Sequence, residues 1–330
     1  MSRITEAAAT THVLSIAAME EASRVDSRTA DLDHLLLALT VDGGTAGSVL
    51  RSLGVTLDAV RRAVADEHAD GLDSLGVRAP TADAGAIRFH ETGDYKWSDR
   101  ALRLLKRVGA DGERTDAVAA LRALLGEPSG LIEAVLARLQ VTADAITERL
   151  DLEERHPSHR TSAATWTGDI SGRSEQFVPA PPENVWNLLA DPARMSEWEL
   201  NVEAVMDAPE HPRAGDVWSA RSRTTAPDGK ALSVRPHLRS QQVELVSLDP
   251  GHAIAWRFTF PDAAQTNARL VRAELEPAAG GTQVHLSSAW ELPSTRRRRP
   301  IRGFLMRPLH RFAIWMQLTQ LGASIGRAFR

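Results

Sequence analysis

The hydrophobic residues of this 330-residue chain keep a helical period in its first half and a period of two in its second, and no single packed layer satisfies both. Before residue 150, Leu32, Leu35, Leu36 and Leu39 fall on one helical stripe, and Leu121, Leu124 and Leu125 repeat it in degraded form. After residue 165, HAIAWRFTF sets Ile254, Trp256, Phe258 and Phe260 on one strand face against Ala255, Arg257 and Thr259 on the other. TQVHLSSAWEL likewise sets Val284, Leu286 and Trp290 against Gln283, His285 and Glu291. Such strands bury one face, as in an antiparallel sheet covered on one side. The period changes at EERHPSHRTSAA, residues 153–164, which is polar, holds Pro157 and has no apolar rhythm. Two domains are therefore expected, at 1–152 and 165–330, with 153–164 as the linker.

The first half repeats itself. A shift of 86 places lays Val55-Thr56-Leu57-Asp58-Ala59-Val60 on Val141-Thr142-Ala143-Asp144-Ala145-Ile146, and brings Gly44 onto Gly130 and Leu39 onto Leu125. Gly43-Gly44 and Glu127-Pro128-Ser129-Gly130 punctuate the helices, Leu53-Gly54-Val55 reads as a glycine cap, and Thr56 or Asp58 can cap the helix that follows. About four helices per copy are expected, joined across a Gly/Asp/Ala-rich stretch near 66–95. In the second half, PPENVWNLLADPARMSEW predicts a helix that opens on proline and stops at Asp191-Pro192. Phe304, Leu305, Leu309, Phe312, Met316 and Leu321 form a long stripe that would lie across the sheet.

Composition removes several chemistries. There is no cysteine, which excludes disulfides, thiolate metal sites and cysteine nucleophiles. The N-terminus lacks the continuous apolar core of a secretory signal, and no stretch approaches the roughly 18 apolar residues of a membrane span, so a cytoplasmic protein is expected. Residues 1–160 hold 19 Lys and Arg against 26 Asp and Glu, while residues 161–330 hold 20 against 17. An acidic first half argues against nucleic acid as a partner. From Ser294 to Arg330 there are nine arginines and no acidic residue, beginning at Arg296-Arg297-Arg298-Arg299. That run reads as a solvated loop ahead of the helix, with contact to an anionic membrane as the alternative.

No Walker A motif occurs. The Gly229-Lys230 pair has Thr224 where the first glycine belongs and is followed by Ala231, so the chain is not an ATPase. No G-x-S-x-G elbow, GxGxxG loop or H-E-x-x-H pair is found. No cofactor and no metal are expected, and His34 reads as an interior or capping residue rather than a ligand.

Residues 1–152 resemble the double Clp N-terminal (Clp repeat) domain that precedes the ATPase modules of Clp-type unfoldases. The resemblance rests on Asp31-Leu32-Asp33-His34-Leu35-Leu36-Leu37 and on Leu53-Gly54-Val55. The second copy departs from the pattern, since Asp116-Ala117-Val118-Ala119-Ala120-Leu121 lacks the acidic-His pair and Gln140 replaces the glycine. Residues 165–330 resemble the START-like (SRPBCC) superfamily, which includes polyketide cyclases, lipid-transfer domains and Hsp90-activator-like proteins. That resemblance rests on Ala180-Pro181-Pro182-Glu183-Asn184-Val185-Trp186, Leu189-Ala190-Asp191-Pro192, Met195-Ser196-Glu197-Trp198, Asp249-Pro250, Ala255-Trp256-Arg257-Phe258 and Gly280-Gly281-Thr282. Together they imply an all-α helical bundle followed by an α+β helix-grip domain, whose antiparallel sheet wraps a long C-terminal helix and leaves an apolar cavity.

Alternation points Trp218, Trp256, Phe258 and Trp290 toward such a cavity from the sheet, with Phe312 and Met316 opposite on the helix; the alternative is that these rings fill the core. Of eight tryptophans, seven lie from Trp166 onward, so the large rings concentrate where the cavity is expected. An enzyme of this type needs an acid or base in the cavity, and His237, His252, His285, Arg235 and Glu244 are the candidates. They form no acid-base pair, and alternation turns His285 away from the Val284/Leu286 face, so no catalytic residue is assigned. The expectation is a non-enzymatic binding protein. It would take an apolar small molecule in the START-like domain, and its Clp-repeat domain would meet Clp unfoldase components, adaptors or substrates. A polyketide cyclase/dehydratase-like enzyme is the alternative.

Overall fold

The computed structural model describes residues 3–77, 85–87, 94–110, 116–156, 170–226, 229–291 and 300–330. The chain divides between Arg160 and Thr161 into two compact units. Helices of the first are α1 (Arg3–Arg24), α2 (Leu32–Thr40), α3 (Thr45–Ser52), α4 (Leu57–Ser74), α5 (Asp99–Ala110), α6 (Ala117–Leu125), α7 (Leu131–Arg138) and α8 (Ala143–Arg155). The 86-residue shift carries the first residues of α3 and α4 onto those of α7 and α8. Capping chemistry repeats with it. Thr56 accepts the amide of Ala59 at 3.4 Å, and Thr142 accepts that of Ala145 at 3.2 Å.

Both copies close their third helix with the same pair of backbone bonds. Val55 N–H reaches Leu50 O at 2.9 Å and Gly54 N–H reaches Arg51 O at 3.0 Å; Val141 to Leu136 and Gln140 to Ala137 repeat the pattern at 3.1 and 3.0 Å. The motif demands a left-handed residue, and Gln140 supplies it at φ 58° where the first copy uses Gly54 at φ 83°. Helix α2 is buried from Leu32 to Thr40 because α1, α3, α4, α6 and α7 all pack on it.

Three local features differ from the sequence reading. Residues 66–74, part of the joining stretch in the sequence, continue α4 against their modest propensity, with Arg138 of α7 pairing with Glu67 at 2.9 Å and Asp70 at 2.6 Å, until Gly76 turns left-handed at φ 72°. Residues 153–155, assigned to the linker by their polarity, are the last turn of α8, and 157–164 lie outside the described residues. A parallel pair of two-residue strands, β1 (Thr29–Ala30) and β2 (Lys96–Trp97), joins the two copies within the bundle, too short to leave a periodic signal.

The second unit opens with β3 (Ser171–Val178), α9 (Pro182–Ala190) and α10 (Met195–Trp198). It continues with β4 (Val202–Met206), β5 (Val217–Ser222), β6 (Ser240–Asp249), β7 (Ala253–Thr259), β8 (Ala268–Ala278), β9 (Gly281–Glu291) and α11 (Pro300–Arg327). Seven antiparallel strands run in the order β3-β9-β8-β7-β6-β5-β4, so β4 to β9 is a meander and β3 closes onto β9. Helix α9 starts on Pro182 and stops at Asp191, whose carboxylate accepts the amide of Ala193 at 2.9 Å.

Helix α11 lies on β3 and β9, and its core stripe is Ile314, Leu318, Leu321 and Ile325. Burying each of these side chains contributes about 1.5–3 kcal/mol relative to leaving it in water. The approach is close at Gly172, where a Cβ would stand 2.7 Å from Ile314 Cγ2. Alternation holds along β7, with Ile254, Trp256 and Phe258 all in the core. Ala255, on the opposite face, is also buried, its methyl lying between ladder partners Ser247 and Arg272. This seven-stranded antiparallel sheet with a C-terminal helix is the helix-grip architecture. Among the described residues no helix is long and apolar enough to cross a membrane.

Candidate functional site

A pocket of about 630 Å³ opens in the second unit, where the ends of β5, β7 and β8 meet α11. Phe258, Phe260 and Trp290 give it aromatic walls, and Leu200, Leu232, Val234 and Leu238 add aliphatic surface. Its polar lining comes from Asn201, Ser222, Arg223, Gln241, Gln265, Thr266, Asn267, Arg269 and Gln317.

Strand register explains Arg269. It faces Phe258 across the β7–β8 ladder and shares a face with Val271 and Ala273, so alternation aims its long side chain inward. The guanidinium lies 4.4 Å above the Phe258 ring, and Nη2 stands 2.7 Å from Glu199 Oε2, an ion-pair contact off the line of a hydrogen bond. Glu199 follows α10 and is only 1% exposed; its Oε1 accepts from Asn201 N at 3.1 Å and Asn201 Nδ2 at 2.9 Å. One buried carboxylate thus offsets one partly buried cation.

Arg223, just past β5, is held differently. Its Nε donates to Leu200 O at 3.0 Å, and Nη2 donates to Ser196 O and Val202 O, both at 2.9 Å. Beside it Gln241 Nε2 donates to Asn201 O at 3.1 Å and Ser222 Oγ at 2.7 Å, while Ser222 donates to Leu238 O at 2.6 Å. This network pins the turn at residues 196–202 to β5 and β6 and sets the polar wall rigidly. On the other side, Asn267 Oδ1 and Gln317 Oε1 are buried without a hydrogen-bond partner among the described residues.

The residues expected at the cavity are placed unevenly. Phe258 and Trp290 line the pocket. Trp218 and Trp256 sit in the packed core, 3% and 1% exposed, the latter 4.8 Å from the Trp198 ring. Phe312 and Met316 are absent from the pocket wall. At about 100° per residue they stand on the side of α11 opposite Ile314 and Leu318, and Phe312 meets Trp315 at 5.9 Å. Gln317 takes the position facing the pocket.

The five acid-base candidates also lie away from the wall. Glu244 pairs with Arg257 at 2.7 Å, and His285 meets Glu276 at 3.2 Å and Glu175 at 3.9 Å on the far face of the sheet. His237, in a short 3-10 helix at Pro236–Leu238, Arg235 just before it and His252 in the turn between β6 and β7 are all exposed. Arg223, Arg269 and Glu199 went unnamed in the sequence reading. Arg269 was legible from its parity with Val271, whereas nothing local marks Arg223 or Glu199. Arg296–Arg299 lie outside the described residues.

The first unit carries a polar cluster at the start of α2. Asp31 caps the helix and is gripped by Arg100 Nε at 2.8 Å and by Ser98 Oγ. Burial raises the Asp31 carboxyl, but the hydrogen bonds from Arg100 and Ser98 outweigh it and hold the group below its ordinary value. Asp33 Oδ2 stands 3.2 Å from His68 Nε2 on α4, and its Oδ1 lies 2.8 Å from His34 Nδ1, which in turn sits 3.2 Å from the Asp31 amide. Burial pushes Asp33 up, yet the hydrogen bonds from His34 and His68 prevail and keep it far below the carboxylate range. The bond to Asp33 outweighs desolvation at His68 and raises it. His34 therefore stands at the helix cap, and the cluster ties α2 to α4 and α5. Among the described residues no group of His, Asp and Glu is arranged to hold a metal ion.

Comparison with known proteins agrees with both halves. Residues 9–84 match the Clp repeat (R) N-terminal domain, which covers the first helical copy, and residues 169–317 match the family described as polyketide cyclase/dehydrase and lipid transport. Among solved structures the chain is similar to protein CV1439 from Chromobacterium violaceum, at 19% identity over 47% of this chain and 96% of that one, with a TM-score of 0.31. Protein Ms6760 from Mycobacterium smegmatis shows 15% identity over 50% and 94%, TM-score 0.33. The Polyketide_cyc-like protein Cgl2372 from Corynebacterium glutamicum shows 18% over 48% and 90%, TM-score 0.31. No curated protein matches the chain. The sequence thus fuses a region matching the Clp repeat domain to one matching the polyketide cyclase and lipid transport family.

Proposed function

We propose that the second unit binds an apolar small molecule without transforming it, and that the Clp-repeat unit is a protein-interaction module, acting as an adaptor or decoy toward Clp unfoldase components. The pocket carries the first half of this reading. Its rings and aliphatic side chains offer a concave apolar surface, and Arg223, Gln241 and Ser222 beside them are positioned by hydrogen bonds that no ligand has to reorganise. Four of the candidates for proton transfer read from the sequence, His237, His252, His285 and Glu244, stand elsewhere and have partners or solvent of their own.

The second half is supported by the match of residues 9–84 and by a first copy whose cap, core helix and glycine closure are all intact. An enzymatic reading, cyclisation or dehydration, draws on Arg269 in the pocket wall and the buried Glu199 behind it. It requires turnover of a supplied polyketide-like substrate.

Native mass spectrometry of the full chain purified from its own host, before and after denaturation, tests the binding reading. A reproducible extra mass lost on denaturation supports it. An empty protein that also fails to take up decanol or naphthylmethanol would sink it. For the first unit, the full chain should compete with a Clp unfoldase for a labelled adaptor or substrate; no competition at saturating concentration removes that half.

A further inference from the structure

Resting on the reading of this pocket as an apolar ligand site, we propose that its ligand is an apolar carboxylic acid and that Arg223 receives the carboxylate. A guanidinium has five N–H donors. Three of those on Arg223 are committed, one from Nε and two from Nη2, to the carbonyls of Leu200, Ser196 and Val202. The two on Nη1 have no partner among the described residues, and Arg223 lines the pocket. Its charge is also unmatched. Carbonyl oxygens satisfy hydrogen bonds but carry no net charge, and among the described residues no carboxylate lies within ion-pair distance of Arg223.

The rest of the lining sharpens the contrast. Arg269 is offset by Glu199 at 2.7 Å, and among the described residues no Asp or Glu belongs to the pocket wall itself. A concave site with aromatic and aliphatic walls, neutral polar groups and an uncompensated cation attracts an anion, and partial exclusion of water strengthens that attraction. The three carbonyls fix the guanidinium in advance, so little side-chain freedom is lost when the head group arrives. Phe258, Phe260, Trp290 and Leu232 then take the apolar body.

Matched acid and alcohol pairs test this by isothermal titration calorimetry on the full chain. Decanoate would be compared with decanol, and naphthoate with naphthylmethanol, to cover flexible and planar bodies. The acid of at least one pair should bind about tenfold tighter than its alcohol, as one charge-assisted pair supplies, and the preference should shrink as salt rises. R223Q should bring acid and alcohol level, while R223K keeps the preference. Alcohols binding the wild-type protein as tightly as acids would overturn the assignment and leave the apolar site standing, as would an unchanged preference in R223Q. If neither acids nor alcohols bind, the pocket reading fails and the assignment with it. Should R223Q not fold, because Arg223 also anchors residues 196–202, the wild-type ratio and its salt dependence decide alone.

Discussion

Removing the Glu199 carboxylate should destabilise the second unit severely, and removing its partner as well should undo most of the damage. Glu199 is 1% exposed and the Arg269 side chain 15%, so water screens the pair little. Two unit charges about 4 Å apart interact by about 4 kcal/mol at an effective dielectric of about 20, and breaking such a buried pair by truncating one partner typically costs about 3–5 kcal/mol. Glu199→Ala also strands the two Asn201 donors, worth about 1 kcal/mol each. Arg269 stacks on Phe258 with or without Glu199, so that contact leaves the difference unchanged. The expected net loss is about 5 kcal/mol. In the double variant Glu199→Leu with Arg269→Met, apolar side chains of similar volume replace both charges, and the remaining loss should fall to about 2 kcal/mol, that of the two unpaired Asn201 donors. Denaturant unfolding followed by tryptophan fluorescence reads this unit selectively, since seven of the eight tryptophans lie from Trp166 onward. A loss below about 1 kcal/mol in Glu199→Ala, or a double variant no more stable than the single one, would refute the view that the pair is a buried, mutually dependent charge site.

Three further outcomes are expected. Gln140→Gly should stabilise the second helical copy by about 1 kcal/mol, because glycine holds the left-handed conformation without a Cβ penalty; greater amide-exchange protection at Val141 would show it. Gly172→Ala should destabilise the second unit by about 1–3 kcal/mol in the same fluorescence assay, since the new methyl meets Ile314 Cγ2 at 2.7 Å, and trimming Ile314 to Ala in the same chain should remove most of that added cost. His68→Gln should reduce stability at about pH 5.5 and have little effect at about pH 8.5. His68 is raised in the folded state, so its contribution is complete below its unfolded value and disappears as pH rises through the folded one, while depressed Asp33 remains ionised throughout. The half-exposed ring limits the difference to about 0.5–1 kcal/mol, and equal thermal shifts at the two pH values would count against the pair.

The sequence by itself determined what depends on neighbours along the chain. Capping by Thr56, the closure at Gly54, the 86-residue repeat and the alternation along β7 and β9 are set by near neighbours in the chain and were readable there, whereas the closure at Gln140, which reads as a departure from the glycine pattern, shows only in the backbone. Parity also fixed which residues of the sheet face inward, including the Arg269 that went unnamed. Which of those inward residues became core and which became pocket wall was another matter. Trp256 and Phe258 share a face two residues apart, yet the first is packed against Trp198 and the second lines the cavity. That division depends on where α10 and the turn at 196–202 end, and so on chain that closes over the sheet from a distance. The rotation of α11 was likewise settled in three dimensions. Its stripe admitted more than one face, and the absence of a side chain at Gly172 let Ile314 seat against β3, which turned Phe312 and Met316 away and brought Gln317 to the pocket. Arg223 and Glu199 acquire their meaning only there, because a charge's role depends on which other charges and dipoles the fold brings within a few ångströms of it, and those come from residues that periodicity cannot connect.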